Sequence, residues 1–153
     1  SYAMPGWRIG YVAAPAHIAK IIANYLSHST GSPCTISQKA SEVALSASQE
    51  TVEEMRKAFE ERRNYMVERV NQIPGVSCIK PEGAFYAMVD VSAFGVDGDT
   101  FAAKLLKEKH VAVIPGSGLG ENCKDAVRIS FAASEDTIRK ATARMKEFIQ
   151  EES

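Results

Sequence analysis

The sequence predicts an α/β chain with an α+β small domain, in which a small mixed or antiparallel sheet is covered by helices. Three observations lead there. Apolar residues recur at helical spacing in several long stretches. Short runs between them alternate apolar and polar side chains, as half-buried strands do. Hairpin-like and crossover connections are mixed, which favours one sheet with helices packed on it. At 153 residues the chain is long enough for a substantial core, since a chain of this size hides about 68–70% of its unfolded surface.

Each element follows from local chemistry. Residues 7–14, Trp-Arg-Ile-Gly-Tyr-Val-Ala-Ala, alternate and are bulky, which predicts a strand. Pro15 stops it and can open a helix. Ile18, Ile21, Ile22, Tyr25 and Leu26 then mark one helical face, before a break at 29–33. Ile36, Ala40, Val43, Ala44 and Ala47 predict a second helix. Thr51-Val-Glu-Glu54 reads as a capping box opening the longest helix, whose stripe is Val52, Met55, Phe59, Met66, Val70 and Ile73. Pro74-Gly75 ends it.

Strands are predicted over 76–80 and 84–91, around a Pro81-Glu-Gly83 turn. In the second, Phe85, Ala87, Val89 and Val91 share one face and Tyr86, Met88 and Asp90 the other. Asp99 can cap a helix carrying Phe101, Leu105 and Leu106. A short buried strand is predicted over 111–114, then a glycine loop. Residues 126–132 form the last strand, with Val127, Ile129 and Phe131 inward and Arg128 and Ser130 opposite. Ser134 caps the final helix, whose stripe is Ile138, Ala141, Met145, Phe148 and Ile149.

Composition excludes several function classes. Eighteen basic and 19 acidic residues leave a net charge of −1, which provides no electrostatic footprint for nucleic acid or for an anionic membrane. No apolar run approaches the roughly 18 residues of a membrane span, and no signal peptide is visible at residue 1. Cys34, Cys78 and Cys123 are an odd number at wide spacing. They suggest buried, reduced thiols in a cytoplasmic protein and no disulfide framework.

The chemistry-bearing candidates narrow quickly. Gly116, Gly118 and Gly120 could bare amides to an anion, but Glu121 stands where a dinucleotide fingerprint needs glycine, and no Gly-Lys pair follows as in a P-loop. Turn geometry is the better reading. His17, His28 and His110 lack metal-ligand spacing, so no metal is expected. No nucleophile elbow or cysteine–histidine pair stands out. Two arginines remain. Arg8 and Arg128 sit in strand-like segments among core-type residues, where an unpaired charge is costly. Each is either paired with an internal carboxylate or available to an external carboxylate or phosphate, which a guanidinium can grip with two parallel bonds.

Four segments, in order along the chain, carry a resemblance: 1–11 (Ser-Tyr-Ala-Met-Pro-Gly-Trp-Arg-Ile-Gly-Tyr), 82–86 (Glu-Gly-Ala-Phe-Tyr), 111–120 (Val-Ala-Val-Ile-Pro-Gly-Ser-Gly-Leu-Gly) and 127–132 (Val-Arg-Ile-Ser-Phe-Ala). The chain resembles, over its whole length, the C-terminal part of the class I/II, aspartate aminotransferase-like enzymes of fold type I. These depend on pyridoxal phosphate. The resemblance implies that residues 1–30 are a strand and helix remnant of the large cofactor-binding domain, and that 31–153 are the small C-terminal domain. It also implies that Arg8 binds the cofactor phosphate, that Arg128 binds the α-carboxylate of the substrate, and that Phe85 is an aromatic position near it.

The Schiff-base lysine of the family falls just before Ser1. Lys20, Lys39 and Lys80 lie in other contexts. The resemblance therefore implies a fragment of an amino acid aminotransferase that is inactive alone, with no catalytic residue of its own and no covalent cofactor attachment at the family position. The complete enzyme would be a cytoplasmic homodimer of amino acid metabolism, acting on an amino acid and a 2-oxo acid. Two other readings stay open: a non-catalytic binding or interaction module, and a fragment of another fold type I enzyme such as a β-lyase or decarboxylase.

Overall fold

A computed structural model describes residues 1–152. The chain divides into two compact units, Ser1–Arg56 and Lys57–Ser153.

The first unit holds a 3₁₀ turn at Pro5–Trp7, helix α1 (Ala16–Ser29), helix α2 (Thr35–Ser46) and the start of α3 (Glu50–Asn71). Pro15 stands directly before α1, as expected of a residue with a pre-set φ and no N–H to satisfy. The strand predicted over 7–14 does not form. Its first residue closes the 3₁₀ turn and residues 8–14 carry no regular structure. The reason is physical: alternation makes a strand only where a neighbour completes its hydrogen bonds, and the sheet of this chain is built from later residues. The segment is tied instead by Ser37, whose hydroxyl donates to the Trp7 carbonyl at 2.8 Å.

The apolar faces of α1 and α2 are present as the periodicity predicts, but they are not covered. Ile21, Tyr25, Ile36 and Val43 are all exposed, and Ser37 is the buried residue of these two helices.

Helix α3 begins one residue before the predicted capping box. Gln49 offers its carbonyl to the Glu53 N–H at 3.0 Å, and the Ser48 hydroxyl accepts from the Glu50 N–H at 3.3 Å. Thr51 therefore lies inside the first turn.

The second unit contains a four-stranded antiparallel sheet in the order β1-β2-β4-β3. Its strands are β1 (Ser77–Cys78), β2 (Tyr86–Asp90), β3 (Ile114–Pro115) and β4 (Ala126–Ser130). Strands β1 and β3 both lie at sheet edges: β1 is shorter than its predicted run 76–80, and β3 keeps only the last residue of its predicted run 111–114 and takes in Pro115, which the sequence placed in the loop. Asn71 extends the edge at β1: its amide accepts from Cys78 N–H at 2.8 Å and donates to Cys78 C=O at 2.9 Å.

The sheet is covered by α3, α4 (Gly98–Lys109) and α5 (Glu135–Glu152). Ala87, Val89 and Val127 point into one core with Met66 and Val70 of α3, Phe101 and Leu105 of α4, and Met145 and Phe148 of α5. Phe101 and Phe148 meet edge-to-face at 5.4 Å. Full burial of each such large apolar side chain stabilises by about 1.5–3 kcal/mol.

Ser134 caps α5 as expected, accepting from Thr137 N–H at 3.2 Å. The cap of α4 is Asp97, which accepts from Thr100 N–H at 2.8 Å; Asp99 falls in the first turn. The Thr100 amide accordingly holds the Asp97 carboxyl below the usual carboxylate range.

Gly98 opens α4 against β4. A Cβ there would collide with the Ala126 carbonyl oxygen, while the Gly98 N–H donates to Lys124 C=O at 2.7 Å. Glycine-to-alanine changes in helices usually stabilise. Gly98→Ala is expected to do the reverse, lowering stability by about 1–3 kcal/mol through overpacking, as read from the urea midpoint of the protein. An unchanged or raised midpoint would contradict this close approach.

Candidate functional site

The register between β2 and β4 sorts the site from the core. Ala87 faces Ile129 and Val89 faces Val127 on the inner side. One residue out of phase, Tyr86 faces Ser130, Met88 faces Arg128 and Asp90 faces Ala126. Ile114 of β3 flanks Arg128 from the other side. The outer face of the sheet therefore presents a half-buried Arg128 at its centre, with Met88 and Ile114 beside it.

No ion pair or hydrogen bond to the Arg128 side chain is formed among the described residues. Its one contact of note is with Tyr86: the guanidinium carbon lies over the ring, 4.8 Å from the centroid. Asp90, the acid on the same face of β2, is engaged elsewhere. It interacts with the Ser92 hydroxyl and accepts from the Ser92 N–H at 2.8 Å, and these bonds hold its carboxyl below the ordinary carboxylate range. An internal carboxylate partner for Arg128, left open by the sequence, is not what the fold provides.

Phe85 departs from its predicted place. It precedes β2 and is 52% exposed, whereas Ala87, Val89 and Val91 of its predicted face are buried. The cause is Ala84, held at φ +62° in the left-handed region, which breaks the alternation before the strand starts. The Phe85 carbonyl still extends the end of the β2–β4 ladder, accepting from Phe131 N–H at 2.8 Å and from the Ser130 hydroxyl at 3.4 Å. Its ring meets Tyr86 edge-on, with centroids 5.6 Å apart. Phe85 and Arg128 are thus linked through Tyr86, a residue missing from the sequence-derived set. Its signal was its place on the outer face of β2, but only the register puts it diagonal to Arg128.

Arg63 of α3 steadies the approach to β2 by donating to the Pro81 carbonyl at 3.2 Å. The glycine loop makes a 3₁₀ turn at Gly116–Leu119, where Gly116 is pressed against the Cys123 and Ala126 carbonyls, as turn geometry requires.

Arg8 belongs to the first unit. It is exposed, caps the 3₁₀ turn in the left-handed region at φ 49°, and donates from Nη1 to the Pro5 carbonyl at 3.1 Å. It forms no ion pair among the described residues, so most of its N–H fork is available to an anion.

This arrangement has relatives. Residues 1–145 match the family model for aminotransferase class I and II. The chain belongs to the class I and II aminotransferases. It is 44% identical to an aspartate aminotransferase of Geobacillus stearothermophilus, over 98% of this chain and 39% of the relative. It is 43% identical to a probable aspartate/prephenate aminotransferase of Aquifex aeolicus, over 99% of this chain and 39% of that protein. Among solved structures it is similar to an aromatic aminotransferase from Pyrococcus horikoshii, with a TM-score of 0.89 and 36% identity, covering 97% of this chain and 40% of the other. The chain thus spans about two-fifths of the length of these aminotransferases.

The strain at Ala84 sets where the aromatic pair of this aminotransferase chain sits. Ala84→Gly is expected to leave stability nearly unchanged, because relief of strain offsets added backbone entropy. Ala84→Val should cost about 1–3 kcal/mol, since a β-branched side chain is strongly disfavoured there. Comparing the two melting curves tests this. Equal stability of the two variants would contradict a left-handed Ala84.

Proposed function

We propose that the complete protein containing this chain is a pyridoxal phosphate-dependent amino acid aminotransferase, moving an amino group between an amino acid and a 2-oxo acid. The observation that carries this reading is Arg128: a half-buried guanidinium at the centre of a sheet face, flanked by apolar side chains and with no carboxylate partner among the described residues. Such a group suits the carboxylate shared by both substrates, which it can take with two parallel N–H···O bonds. Membership of the class I and II family supports the same assignment.

Arg128 would fix the α-carboxylate and so orient the bonds at Cα. Phe85, exposed just before β2, would border the substrate. Arg8 fits the cofactor phosphate, because its fork is spent on one backbone carbonyl only. The cofactor supplies the electron sink and the amino carrier. Residues 1–30 read as a remnant of the large cofactor-binding domain, and 31–153 as the small domain. No Schiff-base lysine is assigned within these residues, and the chain alone is expected to be inactive.

The complete protein reads as a cytoplasmic homodimer. Cys34, Cys78 and Cys123 are free thiols, which suits a reducing compartment; Cys78 is buried as expected, whereas Cys123 is half-buried and Cys34 exposed. The exposed apolar side chains of α1 and α2 suit contact with the remainder of the protein or a second subunit. Among the described residues no helix is long and apolar enough to cross a membrane.

Substitution in the complete enzyme tests the assignment. Arg128→Ala should lower kcat/KM by about 10- to 150-fold, corresponding to about 1.5–3 kcal/mol for a lost charge-assisted bond, while cofactor survives dialysis. Arg128→Lys should recover only part of the loss, because an ammonium lacks the planar fork. Arg8→Ala should show the opposite pattern, with cofactor lost on dialysis. Wild-type kinetics in Arg128→Ala would overturn the reading.

A further inference from the structure

We propose that Tyr86 is a positioning residue for the Arg128 guanidinium, holding it ready for the substrate carboxylate. The proposal rests on the reading of Arg128 given above. A free arginine side chain loses rotamer freedom when it is fixed, and an arginine that must wait for its ligand needs something to fix it beforehand. A protein carboxylate would do so, but it would occupy the N–H fork that the substrate needs. An aromatic ring avoids that conflict. It attracts the cation through its π face and takes none of the five donors.

The geometry matches this role. Tyr86 opens β2 opposite Ser130, while Arg128 lies opposite Met88, so the two are diagonal neighbours on the outer face. Long side chains reach across such a diagonal, and the guanidinium carbon lies 4.8 Å from the ring centroid. Phe85 supports the ring edge-on, at 88° between planes. Phe85 thus has a second role: it braces the ring that braces the arginine. Asp90, the acid that could compete for Arg128 on this face, is bound to Ser92.

The test uses the complete enzyme and four variants: Tyr86→Leu, Tyr86→Phe, Arg128→Ala and the double variant Tyr86→Leu/Arg128→Ala. KM and kcat are measured for the amino acid and for the 2-oxo acid. Loss of the ring should raise KM about fivefold for both, the factor expected of a cation–π contact between exposed and desolvated limits, with kcat within about twofold. Tyr86→Phe, which keeps the π face, should retain the wild-type KM. Leucine should add nothing further when Arg128 is already alanine. A merely structural role would lower the active fraction, and so kcat, without moving KM. If leucine prevents folding, Tyr86→Met is the second ringless variant and the same readings apply.

The proposal is overturned if Arg128→Ala raises KM while the ringless variant leaves it unchanged, or if phenylalanine is as damaging as leucine. It is also overturned if the Tyr86 and Arg128 effects simply add. If Arg128→Ala itself leaves KM unchanged, the assignment of the carboxylate site falls first and Tyr86 falls with it.

Discussion

Five residue pairs between β2 and β4 decide which side chains of the second unit are core and which are available to a ligand. A strand's side chains alternate, so slipping β4 by one residue against β2 would exchange the two faces of β4. Val127 would leave the core, and Arg128 would enter it. Burying an unpaired guanidinium among Met66, Phe101 and Met145 is prohibitive. The apolar core and the placement of Arg128 are therefore a single constraint, set from both faces of one pair of strands.

Everything around the sheet helps to maintain that pairing. Asn71 completes the edge at β1, and Gly98 and Gly116 allow backbone carbonyls from β4 and its approach to come close. The positive φ at Ala84 ends the alternation just before Tyr86, so Phe85 is turned out of the core and placed against Tyr86. Strain of this kind persists where the surroundings over-determine it. Here those surroundings are the Phe131 and Ser130 hydrogen bonds to the Phe85 carbonyl. The outer face then carries a cation over an aromatic ring, with its donors unspent. That state suits the carboxylate-binding role proposed for Arg128.

Most of the second unit is legible in the sequence. Periodicity marks α3, α4 and α5, and alternation sorts Val127 and Ile129 from Arg128 and Ser130 correctly. The failures have distinct causes. The 7–14 segment has strand composition but forms no strand among the described residues, and pairing is not a local property. The caps of α3 and α4 slip by one or two residues because several neighbouring side chains can each take an N-terminal amide, and tertiary fit selects one. Alternation places Phe85 on one face with Ala87, Val89 and Val91 because it assumes an unbroken strand, which the left-handed Ala84 interrupts. Tyr86 was overlooked because its relation to Arg128 depends on register across strands separated by about 40 residues. The apolar stripes of α1 and α2 are legible too, but amphipathicity tells which face seeks cover and not what covers it.

A crystal structure of the complete protein soaked with a 2-oxo acid, the substrate class proposed above, would give the most direct measurement: the positions of the ligand carboxylate and of the Arg128 guanidinium. The expected result is two N–H···O contacts from Arg128, each about 2.7–2.9 Å, with the Tyr86 ring still against the guanidinium. A carboxylate bound to other residues, with Arg128 turned to solvent or paired with a protein acid, would contradict the assignment of this sheet face as the substrate carboxylate site.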